Sequence, residues 1–150
     1  MSRLVRRALF AALAGALAGA PLLAAPADTI RARIAGYKQL GAAFKAVNDG
    51  LRGEPDLVKV RKAVGQIAGA SAAQYKWYPR GSGPQPGVKT AAKVEIWSRG
   101  AQFRAGQDRF AGQAAALQRA AAGGDPVAIR AEARKLGATC KACHDAFRAD

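Results

Sequence analysis

Apolar residues recur at three- and four-residue steps, or multiples of them, along four stretches of the chain, and that spacing is the mark of helices with one inward face. Ile30, Ile34, Tyr37, Gly41, Phe44 and Leu51 define the first. Asp28 or Thr29 is positioned to cap it, and "NDG" at 48–50 predicts its end at about Asn48. Leu57, Val60, Val64, Ile67, Ser71 and Tyr75 continue the spacing after the turn "RGEPDL", with Pro55 early in a second helix.

From Trp77 the period fails. Pro79, Pro84 and Pro86 alternate with Gly81, Gly83 and Gly87 through "WYPRGSGPQPGVK", which predicts a long loop without an apolar face. A third helix is expected from about Thr90, with Val94, Trp97, Phe103, Phe110 and Leu117 inward, stopping at Gly123-Gly124. Asp125-Pro126 then supplies the cap and first-turn proline of a fourth, whose inner positions are Ile129, Leu136, Cys140, Cys143 and Phe147. No segment alternates with period two. The expected fold class is therefore all-α, an antiparallel four-helix bundle whose core can hold a cofactor between facing helices.

The first residues follow a different logic. Arg3, Arg6 and Arg7 precede the uncharged run "ALFAALAGALAGAPLLAA", and Ala25-Pro26-Ala27 is a small-x-small site, so residues 1–27 read as a secretory signal peptide cut after Ala27. The Ala- and Gly-rich composition and Pro21 argue against a membrane anchor. Residues 28–150 then form one domain, exported to the periplasm, large enough for a single core.

The formal charge is +14 for the whole chain and +11 once the three leader arginines are gone. Such a field favours acidic partners. The charges are scattered through helical patterns without interleaved aromatics, which argues against nucleic acid as a partner.

Chemistry concentrates at the end. Both cysteines and the only histidine lie in "CKACHDAFRAD", with Cys140, Cys143 and His144 on one helical face. Structural zinc wants four nitrogen or sulfur ligands, and the chain offers three. A thioredoxin-like dithiol comes in a strand-rich setting absent here. A disulfide within one helical turn closes too short a loop to stabilise much, and neither reading employs His144. Cys-x-x-Cys-His remains as the signature of one covalently attached haem c, with two thioethers and His144 as the iron ligand.

A second axial ligand is harder to find. The only methionine is Met1, and there is no second histidine. Tyrosine or lysine would first have to lose a proton, so five-coordinate iron with one open side is expected.

At this point the chain resembles the cytochromes c′, the class II c-type cytochromes. The resemblance rests on "CKACHDAFR", on "EIWSRGAQF" followed by Phe110, on Trp77 then "GSGP", and on "RIAGYKQLGAAF", and it covers essentially all of residues 28–150. It implies a four-helix bundle carrying haem near its C-terminus, Cys140 and Cys143 at the thioethers, and His144 on the iron. It places Arg148 beside that imidazole, Arg33 near the haem propionates, Tyr37 over the open side, and Trp77 and Phe103 in the pocket wall. Relatives with a methionine in the first helix are low-spin electron carriers, and this chain has none.

The function expected is a periplasmic haem protein that binds diatomic gases such as NO and CO and sequesters NO. The alternative is a periplasmic electron-transfer cytochrome meeting an acidic redox partner. Enzyme activity ranks last, because the only histidine already serves the iron. Members of the family often pair through their first two helices, so a homodimer is also among the implications.

Overall fold

The computed structural model describes residues 26–149, so nearly all of the expected leader lies outside the described residues. Helix α1 spans Pro26–Gly50 and α2 spans Leu57–Ala73; the short α3 covers Glu95–Ser98, α4 Gly100–Gly123 and α5 Pro126–Phe147. A single 3₁₀ turn, Gln74–Lys76, extends α2. The four long helices form the antiparallel bundle expected.

Around it α1 packs on α2, α2 on α4 and α4 on α5, whereas α1 and α5 touch only sparingly. That seam is where the site lies. Away from it the core is aliphatic: Val47, Val60, Val64, Ile67, Leu117, Ile129 and Leu136 are at most 2% exposed. Among the described residues no helix is long and apolar enough to cross a membrane.

Local chemistry explains most boundaries. Asp125 Oδ1 accepts from the Val127 amide at 2.9 Å with Pro126 in the first turn, and Gly124, at φ 78°, ends α4 in the left-handed conformation that glycine tolerates. Asp56 caps α2 by accepting from the Lys59 amide, so Pro55 lies before the cap and not inside the helix. Asp28 sits within the first described turn of α1 and pairs with Arg31, so it is no cap.

Two expected ends shift. Helix α1 runs on through Asn48 and Asp49, because Gly50 serves packing and does not stop the helix: a Cβ there would stand 2.9 Å from Val60 Cγ2. The expected third helix is two. Arg99 adopts φ −113°, ψ 40° between α3 and α4, which turns the phase of the first segment, so Ile96 is buried while Val94 is 62% exposed. Tyr75 also faces outward, its hydroxyl donating to Asp108 and its ring 4.1 Å from the Arg104 guanidinium.

Candidate functional site

Between α1 and α5 lies a cavity of about 500 Å³, within the range of small-molecule and cofactor sites. Helix α5 contributes Cys140, Cys143 and His144 to one wall, with Phe147 and Arg148 beyond them. Helix α1 faces them with Ile34, Tyr37, Gly41 and Phe44, and α4 lines it with Phe103, Gly106, Gln107 and Phe110. The face that periodicity assigned to α1 is thus the cavity wall. This is why Ile34, Tyr37 and Phe44 are only half-buried and Gly41 is exposed.

The three motif side chains do converge on one space. Cys140 and Cys143 are free thiols, half-buried, and burial raises the pKa of both. His144 is exposed toward the cavity; burial first, then the neighbouring Arg148 cation, lowers its pKa and favours the neutral imidazole that ligates metals.

Arg33 is only 1% exposed, so it is no ordinary surface arginine. Its Nη1 donates to the carbonyls of Trp77 (3.3 Å) and Ser82 (3.0 Å) and to Ser82 Oγ (3.2 Å), and Nη2 donates to Thr90 Oγ1 (3.3 Å). Its guanidinium also stands 4.6 Å from the Tyr78 ring centroid. Arg33 therefore borders the cavity while tying the loop down from inside. The loop is further held by the tail after α5, where the Lys93 amide donates to the Phe147 carbonyl (3.0 Å) and the Ala149 amide to the Ala91 carbonyl (2.8 Å).

Tyr37 and Phe103 line the cavity as expected. Trp77 does not. Its ring meets Tyr37 edge-on with centroids 4.7 Å apart and occupies the wall of a separate groove on the outer side of α1 and α2, so it backs Tyr37 without lining the site. It fits there because residue 36 is glycine: a Cβ would come within 2.6 Å of the indole.

The side chain that the sequence reading missed in the wall is Tyr78, with Phe103 4.7 Å away by centroid. Also missed is a buried pair, Gln74 and Gln107, each of whose amides donates to the other's backbone carbonyl at 3.2 and 3.1 Å. A mid-helix glycine beside Tyr37 was a legible sign of close packing; the glutamine pair left no comparable trace.

Burial, followed by the adjacent Tyr78, pushes the Tyr37 hydroxyl far above the usual tyrosine range, so it stays protonated at neutral pH. An apolar cavity of this size, with two thiols and an imidazole on one wall and cations at its border, fits a c-type haem.

The family model described as Cytochrome C' matches residues 28–148. This chain belongs to the cytochrome c′ family. The cytochrome c′ of Rhodopseudomonas palustris is 36% identical over 135 residues, covering 87% of this chain and 88% of that protein. A solved cytochrome c′ with ligand-controlled dimer dissociation superposes with TM-score 0.80 at 29% identity, covering 84% of this chain and 98% of the other. Variants of the Alcaligenes xylosoxidans cytochrome c′ match at 28% identity, over 85% of this chain and 99% of theirs. One is a nitric oxide complex (TM-score 0.77) and one is carbon monoxide bound (TM-score 0.76). Family membership carries with it a c-type haem and the binding of small gases such as NO and CO.

Proposed function

We propose that residues 28–150, freed of a leader, form a periplasmic cytochrome c′ that captures nitric oxide. One haem is bonded through Cys140 and Cys143, and His144 is the sole protein ligand of its iron. Ferrous haem iron supplies reversible binding of diatomic gases. The protein's part is to hold one side of the cofactor with α5 and to restrict the other with Tyr37, Ile34 and Phe44. Arg33 keeps the loop over the site, and Arg148 stands beside the ligating imidazole. The solved nitric oxide and carbon monoxide complexes of a relative support the gas-binding reading.

One observation carries it. His144 is the only imidazole in the chain, the only methionine is Met1, and the hydroxyl facing the motif from α1 belongs to a tyrosine that keeps its proton.

Two experiments test the reading. Acidified acetone should leave the haem on the protein; extraction would refute thioether attachment. Tyr37 is read as a steric guard, so Tyr37→Ala should strengthen CO binding more than NO binding, because NO bonds ferrous iron more strongly and better offsets the same obstruction. Tyr37→Phe should change either gas little. If Tyr37→Phe alters CO affinity as much as Tyr37→Ala does, hydrogen bonding by the hydroxyl governs and the steric account fails.

A further inference from the structure

Positive charge is unevenly spread. From Leu57 to Val94 the chain carries Lys59, Arg61, Lys62, Lys76, Arg80, Lys89 and Lys93 and no acidic residue. The last two flank Thr90, Ala91 and Ala92, which border the cavity. Lys38 from α1 and Arg148 from the tail after α5 border it too. Three segments distant in sequence therefore bring Lys38, Lys89, Lys93 and Arg148 to one opening.

Among the described residues, the ion pairs lie elsewhere and are local, such as Lys45 with Asp49 and Lys135 with Glu132. Asp145, the nearest acid on α5, is paired with Lys141. None of the four mouth cations has a carboxylate within 4.0 Å among the described residues. Between them the surface is small and apolar, with Gly41 and Ala91 exposed and Ala92 half-buried. An apolar centre with a charged rim is the anatomy of a transient protein interface. Its backbone is already held by the two hydrogen bonds to the tail, so docking costs little ordering.

We propose that this mouth is the docking surface for an acidic one-electron donor protein. The inference rests on the gas-binding reading, since ferrous iron must be supplied before NO or CO binds. The step moves one electron from the donor's reduced centre to ferric iron, giving ferrous iron; no bond forms or breaks and no proton is taken up. A negative surface around the donor's redox centre is what this field would steer and orient.

Stopped-flow reduction of the mature holoprotein by a reduced acidic plant-type ferredoxin tests it. The K89E/K93E double variant is compared with K59E/K62E, which changes net charge equally on the α2 half away from the mouth. At low ionic strength the second-order rate constant should fall about 10-fold in the first and less than about 2-fold in the second, with a flatter salt dependence in the first. K89Q/K93Q should show about half the logarithmic loss, which separates charge from misfolding. CO affinity and the ferrous spectrum should be the same in all the proteins, so a failure of the gas-binding reading would show separately. Equal losses in both Glu variants would reduce the effect to net charge, and no loss in K89E/K93E would remove the mouth; either result overturns the proposal. It is likewise overturned if the ferredoxin rate is unaffected while K89E/K93E alone loses binding to vesicles of equal parts phosphatidylglycerol and phosphatidylcholine, since the cations would then serve a membrane surface.

Discussion

Where Val47, Val64, Ile67, Leu117 and Leu136 meet, four helices close directly on one another; where Tyr37, Phe103, Phe110 and Phe147 face each other, α1 and α5 stand apart around a cavity. Aliphatic side chains interleaved with Ala43, Ala63, Ala114, Ala121 and Ala133 let helix axes approach and fill the space completely. The aromatic end spans a wider gap and leaves room inside it. Buried polar groups sort the same way: Arg33, Gln74, Ser82 and Gln107 belong to the cavity half. The closed end can fold on its own packing, whereas the open end is completed by what it binds.

The comparison breaks most visibly in a chain made without haem. In the C140S/C143S variant isolated haem-free, amide hydrogen exchange should lose about a thousandfold of protection around Tyr37, Phe103 and Cys143 while Val64 and Leu117 keep most of theirs. Uniform loss along every helix would show that the two ends are one cooperative unit. Next in size, Leu117→Ala at the closed end should cost about 3 kcal/mol in denaturant unfolding and leave CO affinity unchanged, because its side chain is fully buried and remote from the cavity.

Gly36→Ala is expected to act in the opposite sense. A Cβ 2.6 Å from Trp77 must displace the indole and with it Tyr37, so CO binding should change while stability falls by about 2 kcal/mol. Gly65→Ala, with nothing within 4 Å of the new atom, should instead stabilise the protein by about 0.5 kcal/mol without touching CO binding. If both glycine variants leave the CO rates alone, Trp77 does not support Tyr37.

Much of this was legible in the sequence wherever the cause is local. The caps at Asp56 and Asp125, the break at Gly124 and the helical spacing of Val60, Val64 and Ile67 act within a few residues, so they could be read directly. The Cys140, Cys143 and His144 cluster is equally local. What escaped depends on distant partners. Arg33 is buried because carbonyls and hydroxyls 44 to 57 residues away surround it, and Gln74 finds Gln107 across two helices 33 residues apart. Trp77 and Tyr78 are adjacent in sequence, and only the path of the loop decides that Tyr78 lines the cavity while Trp77 stands behind Tyr37. Val94 misled because a break at Arg99 reset the helical phase.

The central claim is that His144 alone holds the iron and that the α1 wall offers no second protein ligand. Resonance Raman and optical spectra of the dithionite-reduced mature protein under argon, before any gas is added, test it most directly. The account predicts a five-coordinate, high-spin ferrous spectrum that converts on CO addition without displacing a protein ligand. A six-coordinate, low-spin ferrous spectrum in the absence of gas would contradict it, and Tyr37, Lys38 or another side chain would then have to be sought on the iron.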